Sequence, residues 1–151
     1  MIVTFCGHSS FLRDQKHEEK ILNILADRVG EVNADFYLGG YGNFDNFAYE
    51  CCKKYQKSHP KVSIIFITPY ITLEYQKNHL KEQEKMFDAI IYPEIEKIPK
   101  RFAIVYRNRW MIDQADLIIA GVNHSFGGAY KAFLYAKAKK KEIINLFEGD
   151  V

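Results

Sequence analysis

The chain has 151 residues, 48% of them hydrophobic and 26% charged, which predicts one globular domain able to bury a sizeable core. Its formal net charge is +2, so no global basic field argues for nucleic acid, and no apolar run approaches the roughly 18 residues of a membrane span. Cys6, Cys51 and Cys52 lack a framework spacing and fit a reducing cytoplasm, while the scattered histidines give no zinc pattern.

In chain order, "IVTFC" reads as a strand ending at Gly7, too short and wrongly flanked for a signal peptide. "HEEKILNILADRVGEVN" places Ile21, Leu22, Ile24, Leu25 and Val29 on one helical face, with Gly30 as its C-cap. "ADFYL" is a second strand, ending at Gly39. "NFDNFAYECCKKYQKSH" is a helix that Asn43 or Asp45 caps and His59-Pro60 stops. "KVSIIFITPY" is a continuous apolar run, hence a strand buried on both faces. Residues 71–88 are polar and read as a surface crossover with some helix, followed by a short strand in "DAIIYPE". "PKRFAIVYRNRWMIDQA" is a helix with Pro99 near its first turn, and "DLIIAGV" is a fifth strand. "GGAYKAFLYAKAKKK" is a helix with a solvated lysine end, and "EIINLF" is the last strand. Strands alternating with helices predict an α/β fold: a Rossmann-like three-layer sandwich around a mostly parallel sheet of five to seven strands.

Open parallel sheets bind ligands beyond the carboxyl ends of their strands. Three polar or glycine-rich turns fall at such ends: "GHSS", "GGYGNFD" and "NHSFGGA". Glycine lets backbone N–H groups approach a phosphate, and the following helix adds partial positive charge. Each turn alone could simply make a corner. Three at one edge of one sheet point to a site, with Gly7, His8 and Ser9 in the first turn, Gly39, Gly40, Tyr41 and Gly42 in the second, and Ser125, Gly127 and Gly128 in the third.

The motifs also resemble a family. "VTFCGHSS" is similar to the "VFCGSS" opening of the LOG (lonely guy) phosphoribohydrolases, "YLGGYGNFD" to their "YGGGxxGLMG" turn, and "RNRWMIDQADLIIAGVNHSFGGA" to their "ERKxxMxxxADxxIxLPGGxGT" segment. The wider SLOG superfamily, including its YpsA-like branch, resembles the chain more closely, through a "TGHR"-like opening and "RNxxMVDxSDxxI…GG". The resemblance covers nearly the whole chain and implies a Rossmann-like nucleotide-binding domain, usually a dimer. In its register, Arg107 falls on the pattern's arginine, Gly127 and Gly128 on its paired glycines, and Asn108 and Met111 beside the site. The hydrolase pattern GGxGTxxE departs here. The stretch is "GGAYKAFL", without the glutamate that would assist departure of the base, and Ser9 stands where the YpsA-like branch has arginine.

Several side chains carry more than one reading. Asp45 caps a helix or touches a ribose hydroxyl. Tyr41 stacks on a base or is merely an exposed tip. His8 positions a phosphate, caps a turn or serves as general acid. Of Arg107 and Arg109, two apart on a helix, one faces the pocket or both sit in surface ion pairs. Trp110 reads as core and Asp113 as helix surface. The favoured function is a binding protein for a nucleotide or nucleotide-derived signal, ADP-ribose-like or cyclic-nucleotide-like, acting as sensor, carrier or sponge. It needs no cofactor and no metal, and a nucleic-acid partner is not expected. The alternative is an N-glycosidic hydrolase or deoxyribosyltransferase, for which Asp45 and Glu50 are the acidic residues near a glycine turn. An interaction scaffold with a vestigial pocket is the third reading.

Overall fold

The computed structural model describes residues 1–69, 74, 76–95 and 97–147. Among these residues, six strands form one parallel sheet: β1 (Ile2–Gly7), β2 (Ala34–Leu38), β3 (Val62–Ile67), β4 (Ala89–Ile91), β5 (Leu117–Gly121) and β6 (Ile143–Asn145). Their order is β4-β3-β2-β1-β5-β6, and Val3 at the centre pairs with Phe36 on one side and Leu117 on the other. The predicted Rossmann-like architecture is therefore present, and every strand is placed where the apolar runs put it.

Alternate residues of the central strands feed two cores, which is why those strands read as largely apolar runs. Val3, Phe5, Phe36, Leu38, Ile64, Phe66, Leu117 and Ile119 join the core under α1 (Gln15–Arg28) and α2 (Gly42–Ser58). Cys6, Ile118 and Ala120 pack on the opposite side against Ile112 of α4 (Ala103–Gln114) and Phe133 of α5 (Gly127–Ala138). Tyr37, Ile65 and Ile67 pack there against Met111.

Helix ends follow local chemistry, with some differences from expectation. Asp14 starts α1 by accepting the Lys16 N–H at 2.6 Å, a cap the pattern did not single out. Gly30 ends that helix with φ +60°, as its position implied. α2 starts one residue before its expected first position; Asp45 still serves its start, reaching back from the first turn to accept the Tyr41 N–H at 2.9 Å. Pro99 precedes a short 3₁₀ turn, Lys100–Phe102, rather than sitting inside the helix. The crossover expected over 71–88 lies partly outside the described residues. Within them, a π-helical turn at Gln76–Leu80 runs into α3 (Lys81–Met86).

The lysine run is not wholly solvated. Lys141 donates to the carbonyls of Asp113 and Ala115, fastening the end of α4. The short β6 extends its ladder through a side chain: Asn145 accepts from the Val122 N–H and donates to the Val122 carbonyl. No helix among the described residues is long and apolar enough to cross a membrane.

Candidate functional site

The strand order reverses at β1, whose neighbours are β2 and β5. Such a switch point opens a crevice at the carboxyl edge. Here it is fixed by one ring. Gly7 pairs with Gly121 across β1 and β5, and fully buried Phe44, in the first turn of α2, lies over both. A Cβ on Gly7 would fall 2.1 Å from the Phe44 ring, and one on Gly121 would fall 2.4 Å from it. Both glycines are required by this packing, and the start of α2 is held at the reversal.

The crevice is a cleft of about 310 Å³ bounded by the ends of β1, the start of α2, the α4 face and the start of α5. It brings together Gly7, His8, Ser9, Tyr41, Asp45, Arg107, Asn108, Met111, Gly127 and Gly128 of the residues expected from sequence. Four others do not line it. Gly39 sits behind Arg107, and a Cβ there would come within 2.9 Å of the guanidinium. Gly40 and Gly42, both at positive φ, shape the turn against Phe66 and Ser9. Ser125 is exposed outside the lining. Gly39, Gly40 and Gly42 thus make the corner behind the cleft, and Ser125 lies outside its lining.

Arg107, not Arg109, faces the cleft. It is 2% exposed, and its Nη1 donates to the Gly39 carbonyl at 2.9 Å and the Ile67 carbonyl at 2.8 Å. Its Nε donates to Asn108 Oδ1. The guanidinium thus ties the ends of β2 and β3 to α4, so a surface ion pair does not describe it. Arg109 instead lies over the Tyr106 and Tyr135 rings. Trp110 stacks on Tyr37, and Asp113 accepts the Tyr135 hydroxyl, so both act in packing between elements. Glu50 is ion-paired with Arg13 outside the cleft.

Asp45 is the carboxylate of the cleft among the described residues. Burial pushes its pKa from 3.8 up to about 6, opposed by the Tyr41 N–H bond and the charge of Arg107. Its folded pKa lies above its unfolded one, so its favourable contribution to stability is present below pH 4 and is lost as pH rises through about 6. Asp45→Asn should therefore flatten the stability profile between those values, as read by urea midpoints across pH. A slope unchanged from wild type would refute this assignment.

Aromatic rings stand at both lips. Tyr41 is 67% exposed on one side and Phe126 is 70% exposed on the other. Phe126 also precedes α5 without any side-chain cap on that helix. The first turn of α5 thus presents N–H groups with no capping side chain, and nothing lies within 4 Å of a Cβ built on Gly127 or Gly128. Sequence reasoning missed Phe126 and His124. Both stand in the "NHSFGGA" turn, beside the Ser125, Gly127 and Gly128 that its pattern singles out. His124 stacks on His8 with centroids 3.4 Å apart, and the His8 ring is pushed below the usual histidine pKa by burial and by His124.

The fold matches solved structures. DNA processing protein A from Helicobacter pylori, characterised for a unique single-stranded DNA binding mode, is 21% identical, with a TM-score of 0.62 over 96% of this chain and 64% of that one. DNA processing protein A (DprA) from Streptococcus pneumoniae is 14% identical, with a TM-score of 0.66 over 99% of this chain and 50% of that one. TM1055 is 13% identical, with a TM-score of 0.56 over 94% of this chain and 71% of that one. The chain thus spans between half and two thirds of the two DNA processing proteins. At these identities the likeness is one of fold, a Rossmann-like α/β domain with a parallel sheet. No family model matches the sequence, and no curated protein matches it significantly. The likeness to DNA processing proteins corrects one expectation, that nucleic acid is not a partner. That expectation rested on net charge. Helix N-termini and backbone N–H groups can receive phosphates with little net charge on the chain.

Proposed function

We propose that this chain binds single-stranded nucleic acid by seating a nucleotide unit in the switch-point cleft. The phosphate meets the first turn of α5 at Gly127 and Gly128, and the base stacks at the lips on Tyr41 or Phe126. The observation that carries this reading is the uncapped, sterically open glycine turn facing a cleft edged by exposed aromatic rings. Stacking on such rings contributes about 1–3 kcal/mol per base and tolerates any sequence. The likeness to DNA processing proteins favours a strand as the source of that unit.

A free nucleotide-derived signal, ADP-ribose-like or cyclic-nucleotide-like, is the second reading. It is favoured by the cleft volume of about 310 Å³, at the small end of ligand sites. Asp45 offers the enzyme alternative its one carboxylate in the cleft, and release of free base from nucleoside monophosphates would be its signature. The dimer that the resemblance implies would cover the exposed Phe102, Val105 and Tyr106 near α4 and Leu134 on α5, and sedimentation would detect it.

Gly128 provides the test. A side chain there meets nothing in the fold, and an aspartate in a first helical turn is favourable to the helix. Gly128→Asp should leave the melting temperature unchanged or raised, yet lower affinity for a fluorescent oligothymidylate at least tenfold by repelling phosphate. Equal affinity in the variant would reject the α5 phosphate site. Competition by ADP-ribose but not by unlabelled oligonucleotide would favour the signal reading.

A further inference from the structure

A second cavity of about 460 Å³ lies against the cleft. The two share His8, Ser10 and His124. The stacked His8 and His124 rings, 13° from parallel, therefore form a partition between them. On the far side the cavity is walled by Phe11, His17 and Phe147, whose rings contact one another at 5.1 to 6.0 Å. Phe126 continues the row of rings on the cleft side, 4.0 Å from His124.

Two ring nitrogens along this row have no hydrogen-bond partner although they are buried: His8 Nε2 and His17 Nδ1. The whole His8 residue is only 5% exposed. A buried polar atom without a partner is costly and rare, and a bound group with donors or acceptors on a flat edge would satisfy it. Nucleobases combine such an edge with a stacking face. Leu12 and Arg13 stand at the mouth, 83% exposed and with the Arg13 side chain 55% exposed. Arg13 offers a cation there for a backbone phosphate, although it also pairs with Glu50.

We infer that the cavity bounded by Phe11, His17 and the His8–His124 stack is a second nucleotide subsite, occupied by the neighbouring unit of the strand whose first unit sits in the cleft. This rests on the proposed function. A strand crossing the carboxyl edge of the sheet would pass from α5 over the histidine partition toward α1. Two adjacent bases would then be divided by a pair of imidazoles.

The test measures affinities of the intact chain for thymidine 5′-monophosphate, the 5′-phosphorylated thymidine dinucleotide and an oligothymidylate decamer. The dinucleotide should bind about tenfold tighter than the monophosphate or better, and the decamer at least as tightly as the dinucleotide. Leu12→Glu and Arg13→Ala, both at exposed positions, should erase most of that gain and leave monophosphate affinity unchanged. A dinucleotide no tighter than the monophosphate overturns the second subsite while the cleft reading stands. A gain that survives both substitutions also overturns it, because the second unit then lies elsewhere. Absence of binding by all three probes overturns both readings.

Discussion

Phe44→Ala should cost about 3–5 kcal/mol of stability, the range for deleting a fully buried phenylalanine. Gly7→Ala should cost a similar amount for the opposite reason, since the new Cβ would lie 2.1 Å from the same ring and overpacking of this severity forces backbone movement. The informative variant is the double. Removing the ring removes the clash, so Gly7→Ala/Phe44→Ala should lose clearly less than the sum of the two single losses. Residues in contact couple in this way, whereas distant ones add. Urea unfolding with constant m-values measures all three. Strictly additive losses would show that Phe44 does not govern Gly7. The same ring covers Gly121, so Gly121→Ala should repeat the pattern.

Arg107→Ala is the second large effect. The side chain is 2% exposed and carries hydrogen bonds to two carbonyls at the ends of β2 and β3. Hydrogen bonds to charged groups contribute about 1.5–3 kcal/mol each. Loss of both should lower stability by about 3 kcal/mol or more. Arg107→Lys retains the charge without the planar fork and should recover only part of this. The charge of Arg107 also holds the Asp45 pKa down against burial, so in Arg107→Ala the carboxylate should titrate higher than about 6. Carbonyl-region NMR across pH would read that shift, and an Asp45 titration that does not move would contradict the coupling.

These two predictions shape how binding data should be understood. Arg107 anchors Gly39, and Gly39 begins the turn that carries Tyr41. A weakened ligand in Arg107→Ala can therefore arise from a displaced turn as readily as from a lost phosphate contact. Gly128 is different, because its Cβ position is open and no packing depends on it. Affinity lost in Gly128→Asp at unchanged stability isolates the anion site. The Arg107 variants instead measure the frame around it.

Sequence by itself determined the order of elements. The largely apolar runs at 2–6, 34–38 and 116–122 each became strands, because strands of a sheet covered on both faces are near-continuously apolar. Helical periodicity gave α1 its buried Ile21 and Leu25, and glycine at residue 30 marked its end. The alternation of these segments was enough to specify a parallel sheet and to gather three turns at one edge, since βαβ units return every strand in the same direction.

Tertiary structure alone decided what each glycine and each charge is for. Gly7 and Gly121 are 114 residues apart in sequence, and only strand pairing sets them side by side under Phe44. Arg107 reads from sequence as a candidate site cation on a helix, yet the strand ends that accept its hydrogen bonds come from two other segments. His8 and His124 are two scattered histidines until β1 and β5 pair and bring their rings to 3.4 Å. Local patterns report the period of a segment's own burial. A site at a topological switch point is assembled from the ends of segments whose neighbours are fixed by long-range pairing, and no local period encodes which ends will meet.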